Sequence, residues 1–121
     1  MKTVIVVDDQ RSHREMISNL LKGSGINVIE ASDGAEAMDK IEGNFPDLVI
    51  LDIVMPGMNG FEVCRKLKNN PITQNIPVLF CSIKGEEFDR YWGIKQGADA
   101  YISKPFGPRE LLGTVKQFLR S

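Results

Sequence analysis

Polar side chains that could take part in a reaction follow short apolar runs at four places in the chain. They are the acid pair Asp8-Asp9 after residues 4–7, Asp52 after residues 48–51, Ser82 after residues 78–81, and Lys104 shortly after residues 100–102. Three carboxylates held close together repel one another, and Mg²⁺, which prefers carboxylate oxygens, is the natural counter-ion. A lysine ammonium and a serine hydroxyl suit the oxygens of a phosphoryl group. The set therefore predicts a phosphoryl acceptor with Asp52 as the nucleophile, which needs no general base because an ionised carboxylate already carries its lone pairs.

The apolar runs before these groups are the strands of a predicted parallel sheet. Residues 4–7 and 48–51 do not alternate with polar residues, which is typical of strands covered by helices on both faces. Helical patterns separate the runs, so we predict a single doubly wound, flavodoxin-like (βα)5 three-layer α/β sandwich. Such sheets commonly have the strand order 2-1-3-4-5 and bind ligands at the carboxyl ends of the strands. That order brings the polar groups to one edge, whereas Asp52 alone would also fit the cap of a loop or helix.

The helical pattern begins at Gln10, and Gly23-Ser24-Gly25 ends this first predicted helix. Its apolar stripe consists of Met16, Ile17, Leu20 and Leu21. His13 lies in the first turns of this helix, where we expect a solvated side chain rather than a catalytic one.

The remaining elements are predicted from caps and turn residues. Residues 26–31 have the polar neighbours of an edge strand. Ser32-Asp33-Gly34 and Asn59 are predicted to cap the second and third helices. A fourth helix is predicted over residues 86–96, and the final helix begins at Gly107-Pro108.

Composition limits the class of protein further. The 121 residues include 15 Lys plus Arg and 16 Asp plus Glu, a formal charge of −1, so we expect no nucleic-acid partner. We expect one domain over residues 1–121, with no separate output domain. The N-terminus becomes acidic at Asp8, too soon for a signal peptide, and no apolar run reaches membrane-spanning length. We therefore expect a cytoplasmic protein without membrane insertion, in which Cys64 and Cys81 are small core residues.

The motifs around the polar groups resemble the receiver domain of bacterial two-component response regulators, the family of the chemotaxis protein CheY. The resemblance runs from Val4 to about Leu119. It is carried by Val6-Val7-Asp8-Asp9, by Asp52 with Met55-Pro56-Gly57-Met58-Asn59-Gly60, by Ser82, by Gly97-Ala98-Asp99-Ala100-Tyr101 and by Lys104-Pro105-Phe106. Each motif is weak alone, but their occurrence together and in order makes the resemblance specific.

The resemblance implies a role for each residue of the predicted site. Asp52 would accept a phosphoryl group from the phosphohistidine of a partner. Asp9, Asp52 and the backbone carbonyl of Val54 would bind Mg²⁺, for which Mn²⁺ can substitute, and Asp8 would hold metal-bound water. Lys104 would pair with Asp52 at rest and with the phosphoryl group afterwards.

The resemblance also implies how a signal leaves the site. Ser82 would move to meet a phosphoryl oxygen, and Tyr101 would rotate into the space that Ser82 vacates. This change would alter the surface made by the fourth helix, the last strand and the last helix. A cis peptide bond is implied between Lys104 and Pro105, since only X-Pro bonds reach the cis form at low cost.

The expected function is that of a stand-alone response regulator that signals through protein contacts. It would be a phosphoacceptor with slow autodephosphorylation rather than an enzyme. Its partners would be a sensor histidine kinase or phosphotransfer protein and a downstream protein target, and we expect a monomer or a weak dimer. Within the family, Trp92-Gly93 with Gln96-Gly97-Ala98 resembles small regulators of pilus-based motility and phototaxis.

Three positions could tune the rates of this cycle. The residue after Ser82 is usually small in the family, but here it is Ile83, and we hypothesise that its bulk narrows phosphoryl access. Val54 and Lys84 occupy positions that tune dephosphorylation in the family. An apolar group together with a cation at these positions is expected to place attacking water poorly.

Three aromatic residues of the predicted fourth helix, Phe88, Tyr91 and Trp92, have two interpretations. We favour packing against neighbouring helices. The alternative is partial exposure at a partner-binding face, since Trp and Tyr are enriched among binding hot spots.

Three other functions are weighed against the phosphoacceptor. A phosphatase of the haloacid dehalogenase type would need a second acid two residues after Asp52, where this chain has Val54. A flavin- or nucleotide-binding module would need a phosphate-cradling loop where Asp8-Asp9-Gln10 places negative charge. A receiver-like scaffold that binds partners without phosphorylation conflicts with the complete set of site residues, although Ile83 favours it.

Overall fold

Strands and helices alternate along the part of the chain that the computed structural model describes, residues 1–83 and 87–120 without the side chains of residues 87–90. The strands are β1 (Thr3–Val7), β2 (Asn27–Ala31), β3 (Leu48–Leu51), β4 (Val78–Ser82) and β5 (Ala100–Ser103). The helices are α1 (Arg11–Lys22), α2 (Gly34–Asn44), α3 (Gly60–Lys68), α4 (Glu87–Lys95) and α5 (Pro108–Phe118). The predicted alternation of five strands and five helices is confirmed.

The strands form one parallel sheet in the order β2-β1-β3-β4-β5, as predicted. β1 and β3 lie in the interior of the sheet, and β2 lies at one edge. All four residues of β3 are buried, which explains why its sequence does not alternate between apolar and polar residues. β2, by contrast, has only one buried residue, Ala31.

Helices cover both faces of the sheet, and alternate residues of each central strand face different helices. Ile5 and Val7 of β1 belong to a core cluster with α2 and α3, whereas Val4 and Val6 belong to a cluster with α1 and α5. The two clusters are separated by the sheet itself, so the molecule is the predicted three-layer sandwich. Burial of apolar side chains on both faces is the main force that holds the strand ends in register.

The predicted helix caps are present. The side chain of Asp33 accepts a hydrogen bond from the backbone N–H of Glu36 (2.8 Å), and that of Asn59 accepts one from Glu62 (3.0 Å). Each bond satisfies one of the free N–H groups that every helix start presents. Asn59 thereby fixes the start of α3, the helix that follows the loop after Asp52.

Some sequence predictions differ from the structure in detail. β4 and β5 each extend one residue further than predicted, because Ser82 and Ser103 pair in parallel register. α4 ends at Lys95, and its predicted start at Glu86 lies outside the described residues. Met16 was predicted to face the core, but its side chain is 46% exposed, because the buried stripe of α1 is narrower and centred on Ile17 and Leu21.

Cys64 and Cys81 are buried free thiols, as predicted. Burial raises the pKa of Cys64 to about 11 and that of Cys81 to about 12, so both stay protonated at neutral pH. Because the thiolate is the reactive form, both behave as small core residues. None of the helices described is long and apolar enough to cross a membrane.

Candidate functional site

The sheet register places the polar groups at the carboxyl ends of neighbouring strands. Val7 pairs with Leu51, so the residues that follow them, Asp8 and Asp52, leave the sheet side by side. Ser82 pairs with Ser103, so Lys104 leaves β5 beside the end of β4. The backbone N–H of Lys104 donates to the carbonyl oxygen of Ser82 (2.8 Å).

Three carboxylates meet at this edge. One oxygen from each of Asp8, Asp9 and Asp52 lies within 4.8 Å of the others. Asp8 and Asp52 are 1% and 7% exposed, whereas Asp9 faces solvent. Hard oxygen donors in such a cluster, open to water on one side, fit a divalent cation such as Mg²⁺, which keeps several of its waters.

The main chain fixes the two buried acids. Asp52 receives a hydrogen bond at Oδ1 from the backbone N–H of Ile53 (2.7 Å). Asp8 receives one at Oδ1 from the N–H of Gln10 (2.9 Å), and its carbonyl oxygen accepts a bond from the guanidinium of Arg14 (2.9 Å). In both Asp8 and Asp52 the main chain binds Oδ1, and the other carboxylate oxygen, Oδ2, faces the ammonium group of Lys104.

Lys104 lies between the two buried acids and is closer to Asp8. Its Nζ is 2.6 Å from Asp8 Oδ2 and 3.4 Å from Asp52 Oδ2. The resemblance implied a resting pair with Asp52, so the preference for Asp8 is an additional finding. Burial by itself lowers the pKa of Lys104, but the hydrogen bond to Asp8 and the charges of Asp52 and Asp8 outweigh it, so this pKa is raised.

A small cavity of about 80 Å³ opens beside these groups. It is lined by Asp9, Gln10, His13, Asp52, Val54, Ile83 and Lys104. Its volume exceeds that of a single water, so a few water molecules, or an ion with part of its hydration, can occupy it. Two predicted tuning residues border it with largely exposed side chains, 50% for Val54 and 68% for Ile83. The third, Lys84, lies outside the described residues.

The two predicted switch residues, Ser82 and Tyr101, are not among the residues that line the cavity. Ser82 is fully buried at the end of β4. The ring of Tyr101 packs inward against Phe80, with 6.2 Å between ring centroids, and its hydroxyl oxygen is buried. Gly93 of α4 leaves room for this packing, since a Cβ there would lie 3.0 Å from the Phe80 ring. The peptide bond between Lys104 and Pro105 is cis, as the resemblance implied.

His13 is a site residue that sequence reasoning missed. Its Nδ1 lies 3.0 Å from Lys104 Nζ and 3.9 Å from Asp8 Oδ2, so the expectation of a merely solvated side chain was wrong. The sequence carries no signal for this contact, because Asp8 and Asp9 precede α1 and only the packing of that helix on the sheet brings His13 to Lys104.

The aromatic residues of α4 differ from the favoured prediction. Tyr91 and Trp92 are 55% and 41% exposed, and their rings meet edge to face with 6.1 Å between centroids. Core packing was therefore the wrong interpretation for these two side chains. The side chain of Phe88 lies outside the described part of the chain.

Acids at the ends of β1 and β3, a lysine after β5 and the strand order together define a receiver-type α/β fold. Residues 4–116 match the response regulator receiver domain family, and the chain belongs to that family. Receiver domains bind Mg²⁺ at an acidic pocket and interact with histidine kinases or phosphotransfer proteins.

Individual relatives show how far the similarity extends. The chain is 44% identical over 119 residues to the alkaline phosphatase synthesis transcriptional regulatory protein PhoP of Bacillus subtilis, covering 98% of this chain and 49% of that protein. It spans about half the length of the curated relatives it matches.

Solved structures match over their whole length. A putative response regulator from Chloroflexus aurantiacus has a TM-score of 0.94 at 36% identity, with 98% of this chain and 97% of that one covered. The chemotaxis response regulator CheY4 of Vibrio cholerae has a TM-score of 0.91 at 33% identity, with 98% of each chain covered.

Proposed function

We propose that Asp52 accepts a phosphoryl group from the phosphohistidine of a sensor histidine kinase or phosphotransfer protein, in a reaction that requires Mg²⁺. The observation that carries this proposal is the meeting of Asp8, Asp9, Asp52 and Lys104 around an open cavity at the strand ends. Carboxylates beside an ammonium group suit phosphoryl transfer. A carboxylate can attack the phosphorus as the nucleophile, and the ammonium group can stabilise the negative charge of the phosphoryl oxygens.

In the proposed reaction a carboxylate oxygen of Asp52 attacks phosphorus and forms an acyl phosphate. The phosphorus–nitrogen bond of the donor breaks, and its electron pair returns to the imidazole. Lys104, whose Nζ lies 3.4 Å from Asp52 Oδ2, donates a hydrogen bond to a phosphoryl oxygen. The hydroxyl of Ser82 supplies a further hydrogen bond to the phosphoryl group.

Mg²⁺ fits the cluster of acids described above. Asp9, Asp52 and the backbone carbonyl of Val54 would hold the ion, and Asp8 would hold one of its waters. When bound, the cation would neutralise the carboxylates and the charge that develops on the phosphoryl oxygens.

We further propose that the phosphorylated form is read by protein partners at the face made by α4, β5 and α5. Rotation of Tyr101 would couple the site to this face, which also carries Tyr91 and Trp92. Differential contacts of Ser82, Lys104 and Tyr101 in the two forms would shift the population between them. The exposed aromatic pair supports this choice of face, because such residues contribute much of the free energy of binding in protein interfaces.

We infer a stand-alone phosphoacceptor in the cytoplasm rather than an enzyme acting on a separate substrate. The match to CheY4, a chemotaxis response regulator, over 98% of each chain supports a stand-alone role and an output in motility. The match to half of PhoP supports instead a receiver that serves an attached transcriptional output. The intact mass of the protein purified from its native host separates the two.

Incubation with acetyl phosphate and Mg²⁺, followed by intact mass measurement, tests the central step. Wild type should gain one phosphoryl group and Asp52→Asn none. Asp39→Asn, at an exposed position of α2, is the matched control and should gain the group as wild type does. A wild type that stays unmodified would instead favour the scaffold function, for which the exposed side chain of Ile83 over the cavity is the supporting observation.

A further inference from the structure

Among the described residues, three acceptors surround the ammonium group of Lys104, and one of them is not an acid. Nζ lies 2.6 Å from Asp8 Oδ2, 3.0 Å from His13 Nδ1 and 3.4 Å from Asp52 Oδ2. A lysine ammonium has three N–H donors, so this environment engages all of them. The Lys104 side chain is 6% exposed, which leaves water little access to replace any of these partners.

The charge of Lys104 fixes the direction of its bond to His13. The side chain of lysine is an ammonium group at neutral pH, and an ammonium nitrogen can only donate hydrogen bonds. Nδ1 of His13 is therefore the acceptor in this contact, since two donors cannot pair with each other. The imidazole thus accepts a hydrogen bond from the ammonium group beside the two carboxylates.

The position of His13 decides which acid the ammonium approaches. Lysine carries a point charge on a flexible stem, so its location depends on the acceptors that hold it. His13 and Asp8 hold Nζ by the two short contacts, and the contact to Asp52 is the longest of the three. Without His13, no other residue in the described part of the chain offers Nζ a second short contact, and Nζ would be free to pair closely with Asp52.

We propose that His13 is a positioning residue for phosphoryl transfer, whose Nδ1 holds Lys104 on the Asp8 side and so keeps the Asp52 carboxylate open to attack phosphorus. This inference rests on the proposed phosphorylation of Asp52 and adds a residue to that reaction. A close Lys104–Asp52 pair would occupy the nucleophile's lone pairs, and removal of the imidazole is expected to slow phosphorylation for that reason.

Three substitutions separate hydrogen bonding at Nδ1 from the bulk of the ring. His13→Ala removes both, His13→Phe keeps the ring without an acceptor, and His13→Asn places an amide oxygen close to the position of Nδ1. The rate of phosphorylation by acetyl phosphate with Mg²⁺ should fall about tenfold in His13→Ala and His13→Phe, as expected for loss of a hydrogen bond to a charged group. His13→Asn should stay within about twofold of wild type. Asn19→Ala, at an exposed position of α1, is the control and should match wild type.

The inference is overturned if His13→Phe reacts as fast as wild type, or if His13→Asn is as slow as His13→Phe. Both results presuppose that wild type is phosphorylated, so they differ from failure of the proposed function, in which wild type itself takes up no phosphoryl group.

A spectroscopic measurement tests the contact without any reaction. Nitrogen-15 NMR of the metal-free protein should show His13 as the Nε2–H tautomer, with Nδ1 unprotonated and hydrogen-bonded. In Lys104→Met the Nδ1 resonance should shift toward the value of a solvated imidazole. A proton on Nδ1 in wild type, or identical His13 spectra in the two proteins, would show that Lys104 is not held by the imidazole.

Discussion

A Cβ atom on Gly60 would lie 2.1 Å from the backbone carbonyl oxygen of Asp52, far inside the 3.0 Å that real Cβ atoms respect. The N–H of Gly60 also donates to the carbonyl oxygen of Ile53 (2.9 Å). The first residue of α3 is therefore packed directly onto the main chain that carries the central acid. The obstructing atoms belong to the backbone, so no side-chain rearrangement can make room for a larger residue.

Gly60→Ala should therefore lower the free energy of unfolding by about 2 kcal/mol, the usual cost of overpacking a well-packed site. Urea denaturation measures this change. Gly113→Ala is the matched control, because a Cβ at that helical position meets nothing within 4 Å. It should raise stability by about 0.8 kcal/mol, since alanine is the better helix former. Equal stability of wild type and Gly60→Ala would show that the end of β3 can shift away from α3.

The contribution of Lys104 to the free energy of unfolding should decrease at alkaline pH. Its pKa in the folded protein is raised above the ordinary value of 10.5, so the folded state holds this proton more tightly than the unfolded state. The stabilising contribution is fully present below pH 10.5 and is lost as pH rises through the raised pKa. The difference in free energy of unfolding between wild type and Lys104→Met should thus shrink above that pH. Titrations common to both proteins cancel in the difference, and a difference that stays constant would contradict a raised pKa.

Ile83 should limit the rates at which the site gains and loses a phosphoryl group. Its largely exposed side chain borders the cavity, so shortening it widens the approach to Asp52. Ile83→Ala is expected to raise the rates of phosphorylation by acetyl phosphate and of dephosphorylation about threefold each, a small change in barrier. Intact mass against time measures both. Ile72→Ala, at a 71% exposed position in the loop after α3, is the control, and unchanged rates in both variants would remove Ile83 from the list of tuning residues.

Trp92 should report on the proposed switch directly. It is the only tryptophan in the chain and is 41% exposed on α4, edge to face with Tyr91. If phosphorylation rearranges the face made by α4, β5 and α5, the emission maximum and acrylamide quenching of wild type should change when acetyl phosphate and Mg²⁺ are added. Asp52→Asn should show neither change. A phosphorylated wild type with constant fluorescence would indicate that the signal leaves through another face.

The sequence predicted the fold because the relevant signals are local. Residues 48–51 are uniformly apolar, which only burial on both faces explains, and Asp33 and Asn59 mark helix starts that the structure contains. The strand order then follows from the general rules for parallel sheets. The meeting of the acids and Lys104 at one edge was thereby predictable without coordinates.

Details that depend on how elements pack were not predictable. His13 is polar and lies in the first turns of α1, and only the orientation of that helix on the sheet decides whether it faces solvent or Lys104. The closer approach of Lys104 to Asp8 than to Asp52 is a difference of less than 1 Å, which residue spacing cannot resolve. Tyr91 and Trp92 carry large apolar rings that suit a core and an interface equally well, so composition alone could not choose between them.

The backbone N–H of Lys104 donates a hydrogen bond to the carbonyl oxygen of Ser82. This bond links the main chains of the two residues whose side chains are proposed to bind the phosphoryl group. A shift of the main chain at the end of β4 must carry the end of β5 with it, or break a bond that water is poorly placed to replace. A substitution that moves one of these two residues is therefore expected to move the other as well. We expect the energetic effects of substitutions at these two positions to be non-additive, and changes at one during the divergence of related chains to be accompanied by changes near the other.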